Sequence, residues 1–231
     1  MNAKSQRICA FLGMMSPLVM FAGMIIGNIL PPVQPSLDAN NVVAFYQDNA
    51  ARIRICAVFM QLGGALMVVF ASSVSAQLRR IEHKSAPVLS YIQMGSGFVT
   101  ALAFILPAMI WVTATYRPER SPELTYLISD LGWIMFIGIW MPTLVENFAT
   151  AFVILSDKRE KPVFPRWLAY FNLWLSLLFT PSMIMPFFKV GPFAWNGLFA
   201  FWIPGAAFAA WFVVMYFCLL KAIKQQEIEE S

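Results

Sequence analysis

Glu146 is the residue whose type and position are hardest to explain without chemistry. It lies inside a long apolar run, 11 residues before Asp157, which places it about 16 Å along a helix from the nearest charged edge. An ionised carboxylate at that depth in hydrocarbon costs at least ~2.5 kcal/mol. The group must therefore be protonated, paired or facing water, and the protonated form, which desolvation favours, suits a proton relay or a general acid. Thr143 and Thr150 stand at i−3 and i+4, on the same helical face. Asn147 is adjacent, and Gln93 and Asn172 fall at comparable depth in two other apolar runs. The six residues Glu146, Asn147, Thr143, Thr150, Gln93 and Asn172 form a candidate intramembrane polar site. The alternative is a hydrogen-bonded clasp between helices.

A second acid, Asp130, precedes Glu146 by 16 residues. On one continuous helix that spacing turns the two carboxyls about 160° apart, so a paired-carboxylate site is disfavoured. Arg52 and Arg54 stand at the matching end of another run, and Asp130, Arg54 and Arg52 form a candidate outer-rim ion pair or ligand site.

Other chemistries are excluded by what is missing. His83 is the only histidine, so bis-His haem ligation, a Ser-His-Asp triad and a multi-His metal site have no ligands. Cys9, Cys56 and Cys218 form no C-x-x-C pair and read as small apolar side chains. No metal site, cofactor motif or catalytic set is expected.

The elements that must position these residues are transmembrane helices. Apolar residues make up 59% of the chain and charged ones 12%, with a mean hydropathy of +0.67. Soluble domains usually carry about 25% charge, so the bilayer is the solvent that fits, and nucleic acid is not an expected partner. The patterning predicts one all-α domain over residues 1–231: a bundle of six spans at about 8–30, 53–76, 87–113, 124–155, 167–188 and 194–220. The first run is too long for a cleaved signal core and is expected to be retained. Between spans one and two, after Pro31, Pro32 and Pro35, residues 36–54 show helical spacing of apolar positions among polar ones, which predicts an amphipathic interfacial helix. Gly23 and Gly27, and separately Gly205, Ala206, Ala209 and Ala210, predict close helix contacts. Pro142, inside span four, frees the Gly138 carbonyl from its helical donor.

Orientation follows from basic residues. An inside N-terminus puts Lys4, Arg7, Arg79, Arg80, Lys84, Lys158, Arg159, Lys161, Arg166, Lys221 and Lys224 in the cytoplasm, 11 of the 16. The positive-inside rule then predicts both ends inside.

The Pro31-Pro32-x-x-Pro35 opening, Phe45-Tyr46 leading to Arg52-Ile-Arg54, Arg117-Pro-Glu-Arg120, Phe164-Pro-Arg-Trp167 and the Gly191–Gly197 turn together resemble an uncharacterised group of bacterial multi-pass inner-membrane proteins. The resemblance implies a bacterial inner membrane and brings no activity with it. Three functions compete. The first is binding or transport of a small amphipathic or lipid-like ligand within the bundle. The second is a non-catalytic subunit with a membrane protein partner or a second copy of the chain. The least favoured is a cofactor-free enzyme acting on a lipid or isoprenoid.

Overall fold

The structure is a computed structural model that describes residues 3–82 and 86–230; His83 and Lys84 lie outside the described residues. All regular structure among them is helical: α1 (Ala3–Ile26), α2 (Ala39–Asp48), α3 (Ala50–Leu78), α4 (Val88–Tyr116), α5 (Pro122–Gly138), α6 (Met141–Ser156), α7 (Arg166–Phe179) and α8 (Ile203–Glu230). A 3₁₀ segment, Thr180–Phe187, continues α7, and a π-helical turn, Leu198–Trp202, leads into α8. With α5–α6 counted as one span, six helical stretches are long and apolar enough to cross a membrane.

Along the spans, many of the residues that face outward are large and apolar. Ile25, Val58, Leu127, Trp167, Tyr170, Trp174 and Leu177 are all more than half exposed. In water such a surface would drive aggregation; in lipid it is the expected coat.

Close packing of α1 on α3 rests on glycine. A Cβ on Gly23 would stand 2.5 Å from the Phe59 Cβ, and one on Gly27 2.7 Å from the Cys56 Cβ. The small-residue face expected on the last span behaves differently. Ala206 and Ala210 are exposed, and a Cβ on Gly205 would find its nearest neighbour at 3.8 Å. Bulky Phe208, Trp211 and Phe212 on other faces of α8 fill the bundle instead.

Residues 36–54 do not form one helix. Asp38 caps α2 by accepting from the backbone N–H groups of Asn40 and Asn41, and Asn49 separates α2 from α3. Val42 and Tyr46 are buried, and α2 packs chiefly on α5. At least part of its apolar face therefore serves the bundle.

The two ends of the chain meet. Gln77 Nε2 on α3 donates to Gln6 Oε1 on α1 and to Gln226 Oε1 on α8, at 2.5 and 2.9 Å. Arg7 pairs with Glu227, and Arg80 Nη2 donates to Glu229 at 2.6 Å. At the same end Glu82 caps α4 by accepting from the N–H groups of Leu89 and Ser90. The opposite end is tied by Trp195, whose indole N–H donates to the Val33 carbonyl at 2.7 Å.

Candidate functional site

The fourth span is not one helix. α5 ends at Gly138 and α6 starts at Met141, leaving Ile139 and Trp140 between them. Pro142 explains the interruption. It has no N–H to close on the Gly138 carbonyl, and its ring suits the first turn of a new helix. The 160° separation of Asp130 and Glu146 assumed a continuous helix, so that argument does not hold here.

Two other spans are interrupted at the same depth. Pro181 and Pro186 accompany the 3₁₀ segment, and the π-turn precedes Pro204. Pro204 cannot donate to the Ala200 carbonyl, and the Ser182 hydroxyl supplies the missing donor at 3.1 Å. One interruption thus repairs the other.

These irregular segments line a half-open cavity of about 100 Å³. Its walls include Ile139 and Trp140 from the break, Ser182 from the 3₁₀ segment and Phe201 from the π-turn, with Thr100 and Thr143 as further polar residues. Non-helical backbone at membrane depth is tolerated where it is buried in protein or lines a cavity, and here it does the latter. Beneath it a second void, about 10 Å³, touches Thr143, Glu146, Asn147 and Trp211. That is about the smallest space that holds one water.

Glu146 is 2% exposed, and its Oε1 accepts from Gln93 Nε2 at 2.9 Å. Gly97 faces the same carboxyl: a Cβ there would stand 2.9 Å from Oε1 and 2.7 Å from the Ala71 Cβ. One turn further, Thr100 and Thr143 bring their hydroxyls to 3.3 Å. α4 and α6 therefore meet along an antiparallel polar ladder, Gln93 to Glu146 and Thr100 to Thr143. The Thr150 hydroxyl turns back to the Glu146 carbonyl at 2.8 Å and so serves its own helix. Two buried polar atoms here have no partner among the described residues, Gln93 Oε1 and Asn147 Nδ2. A ligand or water holding both a donor and an acceptor would satisfy them.

Of the six residues read as an intramembrane site, Glu146, Gln93, Asn147 and Thr143 come together. Asn172 is one step removed. Its Nδ2 donates to the Leu168 carbonyl and its Oδ1 accepts from Trp211 Nε1, at 2.8 and 2.9 Å. Trp211 in turn lines the small void. Gly97, Thr100, Ser182 and Trp211 were missed, although Gln93, Gly97 and Thr100 sit at i, i+4 and i+7, a spacing that marks one face.

The outer-rim trio does not assemble. Arg54 Nη2 donates to the Thr115 carbonyl at 2.8 Å and Nε to the Thr115 hydroxyl at 3.3 Å, while the cation acting on Asp130 is Lys189. The reason is which helices are neighbours: α3 and α5 each pack on α4 rather than on each other, so Arg54 on α3 meets Thr115 of α4 and not Asp130 of α5. Arg52 is exposed and joins neither.

Among the described residues no three of His, Cys, Asp and Glu gather closely enough to hold a metal ion, and the three cysteines are unpaired. Comparison with protein-family models, with curated proteins and with solved structures finds no match for this chain.

Proposed function

We propose that this chain is a multi-pass protein of a bacterial inner membrane, with both termini in the cytoplasm, that binds or transports a small amphipathic or lipid-like ligand in the cavity between its interrupted helices. The carrying observation is the convergence of three broken spans on one cavity above a buried carboxyl. Intramembrane ionisable groups are costly and mark functional positions, and discontinuous helices at mid-membrane build ligand sites in transporters.

Size limits the ligand. A cavity of about 150 Å³ accommodates benzene, whereas whole drug-sized ligands need about 300–1,000 Å³. The 100 Å³ here suits a short apolar tail or a compact head, with the remainder of the molecule outside. The head presents a hydroxyl or amide to Thr143 and, through the small void, to Asn147 and Glu146.

Orientation rests on two supports. The Gln6, Gln77 and Gln226 contacts put both termini at one end of the bundle, and that end carries most of the basic residues. α2 then lies at the outer interface, where Tyr116 and the arginines of the following connector would meet headgroups.

The test uses a fatty alcohol carrying a diazirine, photolysed with the protein in lipid nanodiscs and mapped by mass spectrometry. Labelling is expected at cavity residues such as Trp140 and Phe208. It is expected to fall in Gly205→Leu, because Gly205 lines the cavity and a Cβ there has room, its nearest neighbour being Phe21 at 3.8 Å. Labelling confined to the lipid-facing coat, unchanged by the substitution, would remove the proposal.

A further inference from the structure

At the end of the bundle away from the termini, a second hollow opens between α2, α3, α4 and α5. It measures about 340 Å³ and is lined by Val43, Gln47, Arg54, Thr115, Arg117 and Thr125, among others, and no carboxylate lines it. Gln47 Nε2 donates to the Pro118 carbonyl at 3.0 Å and so holds α2 against the connector that carries Arg117.

The charge in this hollow is unbalanced. Ion pairs among the described residues are Arg7 with Glu227, Arg80 with Glu229 and Arg159 with Asp157, all at the other end of the bundle. Arg54 spends two N–H groups on Thr115, which leaves three of the five that a guanidinium carries. Those two bonds also fix its position. Among the described residues, Arg117 donates none of its side-chain N–H groups to a protein partner, and its side chain is exposed. Arg54 and Arg117 are two planar cations lining one concave site with no acid in its wall, and a guanidinium can hold a phosphate through two parallel N–H bonds.

We infer that this hollow binds a phosphate group, either the headgroup of an anionic phospholipid or a soluble phosphate ester. The site is independent of the central cavity. Arg54 and Arg117 lie where headgroups lie if the six spans cross a bilayer, and two neighbouring guanidinium groups repel a choline or ethanolamine cation. A lipid whose phosphate carries glycerol is favoured over one whose phosphate carries choline.

The experiment has a lipid arm and a soluble arm. Protein purified from nanodiscs of phosphatidylcholine doped with phosphatidylglycerol is analysed by native mass spectrometry for retained lipid, and glycerol 3-phosphate is titrated calorimetrically into the same protein in neutral detergent. Retention of phosphatidylglycerol over phosphatidylcholine, or saturable heat with glycerol 3-phosphate, supports the site and identifies its source. Arg117→Gln breaks no hydrogen bond or ion pair among the described residues and is expected to weaken binding about tenfold or more, as loss of a charge-assisted contact does; Arg54→Gln is expected to do the same. Arg52→Gln, on the same helix but outside the hollow, is expected to leave binding unchanged. Absence of both signals would overturn the inference, as would binding that Arg52→Gln weakens as much as Arg117→Gln.

Discussion

Gln93 on α4 and Glu146 on α6 meet across 2.9 Å with the amide as donor and the carboxyl as acceptor. It is the bond that joins the two helices at the buried acid, and the other end of the same amide, Oε1, has no partner among the described residues. An acceptor is therefore what Gln93 requires of position 146, and charge is not. Glu146→Gln keeps that acceptor and is expected to stay within about 1 kcal/mol of wild type. Glu146→Ala orphans the amide and is expected to cost about 1–3 kcal/mol. Unfolding by dodecyl sulfate in mixed micelles measures both, and equal destabilisation by the two would mean that Gln93 does not hold the acid. A double-mutant cycle between the positions should return about 0.6 kcal/mol, the usual size for a bond between membrane helices.

Gly97 sets two physical effects against each other. Helix propensity favours alanine over glycine by about 1 kcal/mol. The added Cβ, however, would stand 2.7 Å from the Ala71 Cβ and 2.9 Å from Glu146 Oε1, and overpacking costs about 1–3 kcal/mol. Backbone and carboxyl cannot both retreat, so Gly97→Ala is expected to destabilise. A stabilised variant in the same unfolding assay would show that α4 moves easily away from α3 and α6.

Asp157 provides the pH test, since it lies in the connector after α6. It is almost fully buried. Burial pushes its carboxyl up, but two bonds from the Arg159 guanidinium, each 2.9 Å, and one from the Val163 N–H at 2.9 Å outweigh this and hold it below the ordinary 3.8. A depressed carboxyl contributes stability that is fully present above the unfolded value and disappears as pH falls through the lower folded value. Asp157→Asn is expected to cost about 1–3 kcal/mol at neutral pH. Its difference from wild type should shrink as the medium is acidified below 3.8. A gap that stays constant over that range would assign the cost to shape alone.

Gln77 holds three helices at once. Its replacement by leucine removes the donor shared by the buried Gln6 and the half-buried Gln226 and is expected to cost about 1–3 kcal/mol. The last turns of α8 should also exchange their amide hydrogens faster, because Gln226 is one of the contacts that tie them to the bundle. Unchanged exchange there would show that the ion pairs of Glu227 and Glu229 suffice.

The spans were legible because hydropathy records what a helix must meet. The predicted run at 87–113 is α4, Val88–Tyr116, and that at 53–76 is α3, Ala50–Leu78. Glu146 was legible for the same reason, a charge where hydrocarbon tolerates none. Partners were less so. Pairing Arg54 with Asp130 used depth alone, whereas the contact depends on which helices are neighbours, and α3 and α5 pack on α4 rather than on each other. Asn172 went to Trp211 on the same grounds. Pro142 announced a missing hydrogen bond, but its position could not say whether the helix would bend or end.

The two-residue gap at Ile139 and Trp140 carries a consequence for how the chain can change. In an unbroken helix, adding or losing one residue swings everything beyond it by about 100° and would carry Glu146 from its amide to the lipid. Here the gap can absorb such a change, so the outer and inner segments can drift in length separately. Insertions and deletions among descendants of this gene should therefore collect between Gly138 and Met141 and stay out of α4, where no such buffer exists.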